Sequence, residues 1–303
     1  MKLSNTARSN ILYGVSFVLA ILGQKFLFFD HNKITGSIFF AAAAVIIIFA
    51  CQRESSDENK YGVATPLEVT LFLIILFAAV FMRFFHLSEL PPGLHYDEAQ
   101  NGLNALSIMN DEGGLPVYYS DATHNPAAFI YIIAAAFRFF GVNPVVLRAV
   151  PAVIGVLSVA ALYFLARRLY GVKAALFSMF VFAFMRWHVN FSRIAFHASF
   201  SVLVFLIFLY FFMKALKGRK IADFILSGAL LALTQYTYQP ARLLPLAVII
   251  SAVYIELRYG GFIKPNLKKM ILFAAAFAVV IAPLGIFAAA HFGEFTERAK
   301  EVN

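Results

Sequence analysis

Residues Met270–Ala290 read MILFAAAFAVVIAPLGIFAAA, 21 positions without one charged or hydrogen-bonding side chain. The hydrocarbon core of a bilayer takes roughly 20 such residues as a helix. No water is present there to satisfy peptide groups, so the backbone must bond within the segment. Comparable blocks lie upstream, and spans are predicted near 11–29, 34–51, 67–85, 145–166, 172–188, 198–214, 222–238 and 243–258. A further apolar segment, 126–140, is short, begins with Asn125-Pro126 and carries Arg138.

Composition agrees. Hydrophobic residues make up 61% and charged residues 14%, where soluble domains carry about a quarter charged. Mean hydropathy is +0.79. Solid apolar runs exclude a β-barrel, whose strands alternate in polarity. The expected fold class is an all-α integral membrane protein, a polytopic bundle of about nine or ten transmembrane helices. A first external loop carrying short helices completes it.

Lys2 and Arg8 precede the first apolar block, but no small-x-small cleavage site follows, so this block reads as an uncleaved helix. The single cysteine, Cys51, has no internal disulfide partner and reads as packing. The net charge of +9 invites a nucleic-acid reading. Its distribution argues against one, because the basic residues cluster in short loops between spans. Arg167-Arg168…Lys173, Lys214…Lys217…Arg219-Lys220 and Arg258…Lys264…Lys268-Lys269 are each separated by two spans. They share a side, and the positive-inside rule makes it cytoplasmic. Loop 86–125 then lies outside; it holds Glu89, Asp97, Glu98, Asp111, Glu112 and Asp121 and no Lys or Arg. Parity between this loop and Arg167 is restored if 126–140 lies along the surface or re-enters; the alternative is that 172–188 fails to cross.

Loop 86–125 is where chemistry is expected. Pro91-Pro92-Gly93 sets a turn, and Asp97-Glu98 opens a helix predicted over Asp97–Met109. Acids at a helix N-terminus are common on dipole grounds alone; the functional reading is a carboxylate general base at the membrane surface. Adjacent carboxylates point to different sides of a helix, so one of the pair at most performs the chemistry. Arg83, Arg186, Arg193 and Arg242 map near the outer ends of spans. Bidentate pairing with a lipid phosphate explains such a placement; snorkelling to phospholipid headgroups is the plainer account. His188, Tyr236 and Tyr238 lie in polar stretches at the same depth, where aromatic residues also serve as interfacial anchors. His188 and His197 stand nine apart, a poor spacing for shared metal ligation. No metal centre or other cofactor is expected, a divalent ion being left open. Phosphate-binding glycine loops, Gly-x-Ser-x-Gly, His-Glu-x-x-His and Cys-x-x-Cys are all missing.

Pro91-Pro92-Gly93…Asp97-Glu98-Ala99…Gly102…Ala105 resembles the first external loop of the GT-C glycosyltransferases. The nearest branch is that of the protein O-mannosyltransferases and the lipid A aminoarabinose transferase. Further pieces are similar in order: His124-Asn125-Pro126; Gly141…Asn143-Pro144…Leu147-Arg148…Pro151…Gly155, followed by Arg167-Arg168-Leu169-Tyr170-Gly171; Ser192-Arg193-Ile194-Ala195; and Tyr236-Thr237-Tyr238…Arg242-Leu243…Pro245. The likeness covers 67–303, with two additional spans in 1–66, and the chain reads as the N-terminal part of a longer protein. It implies a polyprenyl- or dolichyl-phosphate sugar donor, an acceptor protein, lipid or glycan, and reaction on the extracytoplasmic face of a cell membrane. By position, it implies Asp97 as the base, Glu98 as a supporting acid, and Arg193, Arg242 and His124 on the donor phosphate. A glycan or lipid transporter, or a non-catalytic membrane protein, is the competing reading.

Overall fold

A computed structural model describes residues 5–28, 35–36, 38–39, 41–43, 45–46, 64–110, 114–120, 124–218 and 220–295. Cys51, half of the 34–51 span and residues 52–63 lie outside the described residues. The helices are α1 Asn5–Phe28, α2 Pro66–Phe84, α3 Tyr96–Met109, α4 Ala128–Phe140, α5 Pro144–Tyr170, α6 Val172–Phe184, α7 Arg186–Phe191, α8 His197–Gly218, α9 Ile221–Thr234, α10 Leu244–Tyr259 and α11 Ile263–Ala290. A 3-10 turn, Gln239–Leu243, leads into α10. The protein is a polytopic helical membrane protein.

Among the described residues, five helical stretches are long and apolar enough to cross a bilayer: Pro66–Phe84, Pro144–Tyr170, His197–Gly218, Gln239–Tyr259 and Ile263–Ala290. Two expected spans, 172–188 and 222–238, form helices shorter than predicted, and the segment 126–140, not expected to cross, is short as well. α4 and α6 have 13 residues and α9 has 14, about 20 Å at 1.5 Å per residue, against a core of about 30 Å. The predicted 172–188 helix breaks at Met185, whose backbone turns to φ −59°, ψ 113°. Among its described residues, loop 86–125 holds one 14-residue helix where several short ones were expected. It also contributes β1, Tyr118–Tyr119, which pairs antiparallel with β2, Asn125–Pro126.

The chain divides into two compact units. One comprises 63–210, 233–243 and 286–303. In it α5 packs on α2 and α6, α4 packs on α5, and α3 packs on α4. Phe129, Ile130, Ile133 and Phe137 of α4 meet Leu147, Val150 and Ile154 of α5 and Ala105 of α3. Local sequence starts these helices cleanly. Thr65 Oγ1 accepts the Glu68 N–H at 3.2 Å ahead of Pro66, and Asn143 Oδ1 accepts the Val146 N–H at 2.9 Å ahead of Pro144. Proline suits the first helical turn because its missing N–H is unneeded there. The Glu68 carboxylate, at the start of α2, receives the Arg167 Nε–H at 2.6 Å and the Tyr163 hydroxyl, tying α2 to the end of α5.

The other unit comprises 1–62, 211–232 and 244–285. Ala222 and Ile225 of α9 pack with Ala276 of α11. A Cβ on Gly228 would stand 2.1 Å from the Phe273 carbonyl oxygen. Only glycine permits that backbone approach.

Candidate active site

α3 begins with a reciprocal cap. His95 Nδ1 accepts the Asp97 N–H at 3.3 Å, and Glu98 Oε2 accepts the His95 N–H at 3.3 Å. Glu98 is buried, 1% exposed, and a carboxylate so placed requires a cation. Arg148, on the second turn of α5, supplies it through Nε–Oε1 at 2.9 Å and Nη2–Oε2 at 3.1 Å. Glu98 Oε1 also accepts the Ala195 N–H at 3.4 Å, while Asn101 Nδ2 donates to the Ala195 carbonyl at 2.7 Å. Asp97 is half-buried and carries no side-chain hydrogen bond among the described residues.

Two arginines hold the turn that leads into α3. Arg148 Nη1 donates to the carbonyls of Leu87 at 3.3 Å and Pro91 at 2.9 Å, and its Nη2 reaches Gly93. Arg193 Nη1 donates to Met82 at 2.9 Å and Arg83 at 3.2 Å; Nη2 donates to Phe85 at 2.7 Å, His86 at 3.3 Å and Leu90 at 3.0 Å. The last carbonyls of a helix have no partner within it, and Arg193 satisfies them for α2. No carboxylate pairs with Arg193 among the described residues. Burial, and then the neighbouring Arg148 charge, pull its pKa below the ordinary arginine value.

Beside this turn lies a cavity of about 800 Å³. Phe81, Met82, Phe85 and Leu94 make apolar wall, and His95, Asn190 and Arg193 are its polar lining.

The other residues expected at a site fall into two groups. Arg83 is fully buried: Nη1 donates to the carbonyls of Ala79 at 3.0 Å and Ala183 at 3.2 Å, and Nη2 lies 2.7 Å from His188 Nδ1. His188 is itself 1% exposed, and the pair joins α2 to α6 and α7 in the interior rather than at the surface. Arg186 is exposed. His124 and Arg242 belong to a second cluster. The His124 carbonyl accepts from Tyr118 Oη at 2.6 Å and Gln239 Nε2 at 2.5 Å, holding His124 at φ 42°. Arg242 lies 3.8 Å over the Phe295 ring and donates to its carbonyl at 3.3 Å. His124 Nδ1 and Arg242 Nη2 are buried without a hydrogen-bond partner among the described residues. Tyr238 meets the ring of Phe196 edge-on at 5.7 Å, and the Tyr236 N–H bonds to the Leu233 carbonyl at 3.1 Å.

Sequence reasoning passed over Arg148, His95 and Asn190. Arg148 left a trace, an arginine one turn inside an apolar helix, which needs a buried partner; its partner, however, is 50 residues away.

A family model described as dolichyl-phosphate-mannose-protein mannosyltransferase matches residues 124–287, just over half of the chain. The match takes in His124, Arg148, Arg193 and Arg242 and begins after Asp97 and Glu98. A search of curated proteins finds no match. The chain belongs to the dolichyl-phosphate-mannose-protein mannosyltransferase family, GT-C membrane glycosyltransferases that draw their sugar from a lipid phosphate.

Proposed function

We propose that the protein transfers a sugar from a polyprenyl- or dolichyl-phosphate donor to an acceptor hydroxyl on the extracytoplasmic face of a cell membrane, with Asp97 as general base. One observation carries this reading: of two adjacent carboxylates, Glu98 is consumed by Arg148 and the Ala195 N–H, while Asp97 is held on the same rigid turn and left unbonded. A base needs that combination of fixed position and free lone pairs.

Asp97 removes the acceptor proton, the acceptor oxygen attacks the anomeric carbon, and the bond from that carbon to the phosphate oxygen breaks with inversion. The leaving lipid phosphate gains negative charge. Arg193, at the cavity wall with no carboxylate against it, stabilises that charge. Its terminal nitrogens are already bound to carbonyls, so it acts through its field rather than as a bidentate fork. His124 and Arg242, each with one unbonded buried nitrogen, are the remaining candidates for direct contact with the donor phosphate or the acceptor.

The test is incubation of membranes carrying the full chain with radiolabelled polyprenyl-phosphate sugars. Label passing to protein, lipid or glycan, and lost in Asp97→Asn, supports the assignment. Undiminished transfer by Asp97→Asn refutes it.

A further inference from the structure

Helices α8 to α11 line a groove of about 280 Å³ within the second unit described above, with apolar residues alone on its walls. It starts among Leu216 near the end of α8, Ile255 near the end of α10, Phe262 just before α11 and Met270 two turns into it; it runs on to Pro245 and Phe277. From Phe262 to Phe277 is roughly 20 Å of helix. The Gly228 backbone already touches the Phe273 carbonyl oxygen, so α9 and α11 cannot close further at that point.

The starting end is strongly basic. Lys217, Arg258, Lys264 and Lys268 are exposed there. The nearby acids are engaged: Glu256 accepts the N–H groups of Phe262 at 2.7 Å and Ile263 at 2.8 Å, and Asp223 holds Lys214 at 2.9 Å. An apolar trough with a net cationic end, four exposed basic residues beside the Glu256 carboxylate, matches one kind of partner, a molecule with a hydrocarbon chain and an anionic head. A partner helix would answer the walls and leave the lysines unmatched.

We infer that this groove is a binding site for an anionic phospholipid of the leaflet that these lysines face. One acyl chain follows the apolar walls, and the phosphate meets Lys264 and Lys268. Basic residues at a membrane surface attract anionic headgroups, and the groove adds a fixed seat for the tail.

Native mass spectrometry of the full chain in neutral detergent tests this. The probes are phosphatidylglycerol and phosphatidylcholine with identical acyl chains at equal concentration. Phosphatidylglycerol adducts are expected in excess by about thirtyfold, a factor set by the two lysines. Lys264→Ala with Lys268→Ala should abolish the preference. Ala274→Trp, at an exposed wall position, should abolish retention of both lipids; Ala252→Trp serves the same purpose should the first variant fail to fold. Equal retention of the two lipids overturns the inference, as does retention unchanged by the tryptophans. Displacement by equimolar polyprenyl phosphate reassigns the groove to the donor, and a tryptophan-sensitive dimer without lipid reassigns it to a second copy; either result overturns the inference. Sugar transfer is not read in this assay, so its outcome is independent of the proposed reaction.

Discussion

Arg148 holds both carboxylate oxygens of Glu98, at 2.9 and 3.1 Å, and with the same guanidinium binds the carbonyls of Leu87, Pro91 and Gly93. One side chain thereby fixes the turn and the first residues of α3, and so the place where the Asp97 carboxylate stands. Arg193 holds the preceding carbonyls from Met82 to Leu90. The turn from Phe85 to Gly93 is irregular, and these two arginines bind its carbonyls at Phe85, His86, Leu87, Leu90, Pro91 and Gly93.

Removing one partner of the buried pair should be severe. Glu98→Gln leaves Arg148 buried and uncompensated, at a cost of about 3–5 kcal/mol. Arg148→Met combined with Glu98→Gln should recover part of that stability while transfer remains impaired. Thermal unfolding of the single and double variants in detergent measures the coupling; strictly additive losses would disprove it.

Asp97→Asn should separate chemistry from folding. The side chain has no hydrogen bond to lose, only a charge favoured by the helix dipole, so stability should fall by no more than about 1 kcal/mol. Transfer should fall by roughly 10²–10⁴-fold, the usual contribution of a general base. Parallel melting curves and rate measurements check both halves.

Arg193→Lys retains the charge and loses the fork, whereas Arg193→Gln loses both. The lysine variant should loosen 82–94, seen as faster hydrogen exchange there, and retain measurable transfer. The glutamine variant should show the same exchange and lower transfer still. Equal transfer rates would remove the field effect from the account.

Gly155→Ala should destabilise the packing beneath the site. Its Cβ would stand 2.5 Å from Ser192 Cβ and 2.8 Å from Arg83 Nε. Overpacking of this kind costs about 1–3 kcal/mol. Ser192→Gly in the same chain should restore part of the loss, read by thermal unfolding.

Topology has its own test. With Cys51→Ser as background, Ser88→Cys should react with an impermeant thiol reagent applied to sealed cells, and Lys268→Cys only after permeabilisation. The reverse pattern would place the proposed reaction on the cytoplasmic face.

Hydropathy alone determined that the chain is a helical membrane protein, because an apolar run of about 20 residues has no other stable state in a bilayer. The spans expected from 67 and 145 begin one residue earlier, at Pro66 and Pro144, where Thr65 and Asn143 cap them. The start of α3 was legible too, one residue early at Tyr96. The interruption at Met185 and the shortness of α6 and α9 were not legible, since apolar composition continues across helix ends, whereas the shortness of α4 was. At the site, the types of residue were readable and their duties were not. Asp97 and Glu98 are equivalent on paper; burial against Arg148 separates them. Arg83, Arg186, Arg193 and Arg242 read alike, as lipid-phosphate ligands or snorkelling side chains, yet Arg83 is buried with His188 and Arg193 caps α2. A guanidinium bonds to whatever acceptors the fold brings within reach, and the acceptors of Arg83 and Arg193 include groups about a hundred residues away in sequence. Only tertiary structure decides which acceptors those are.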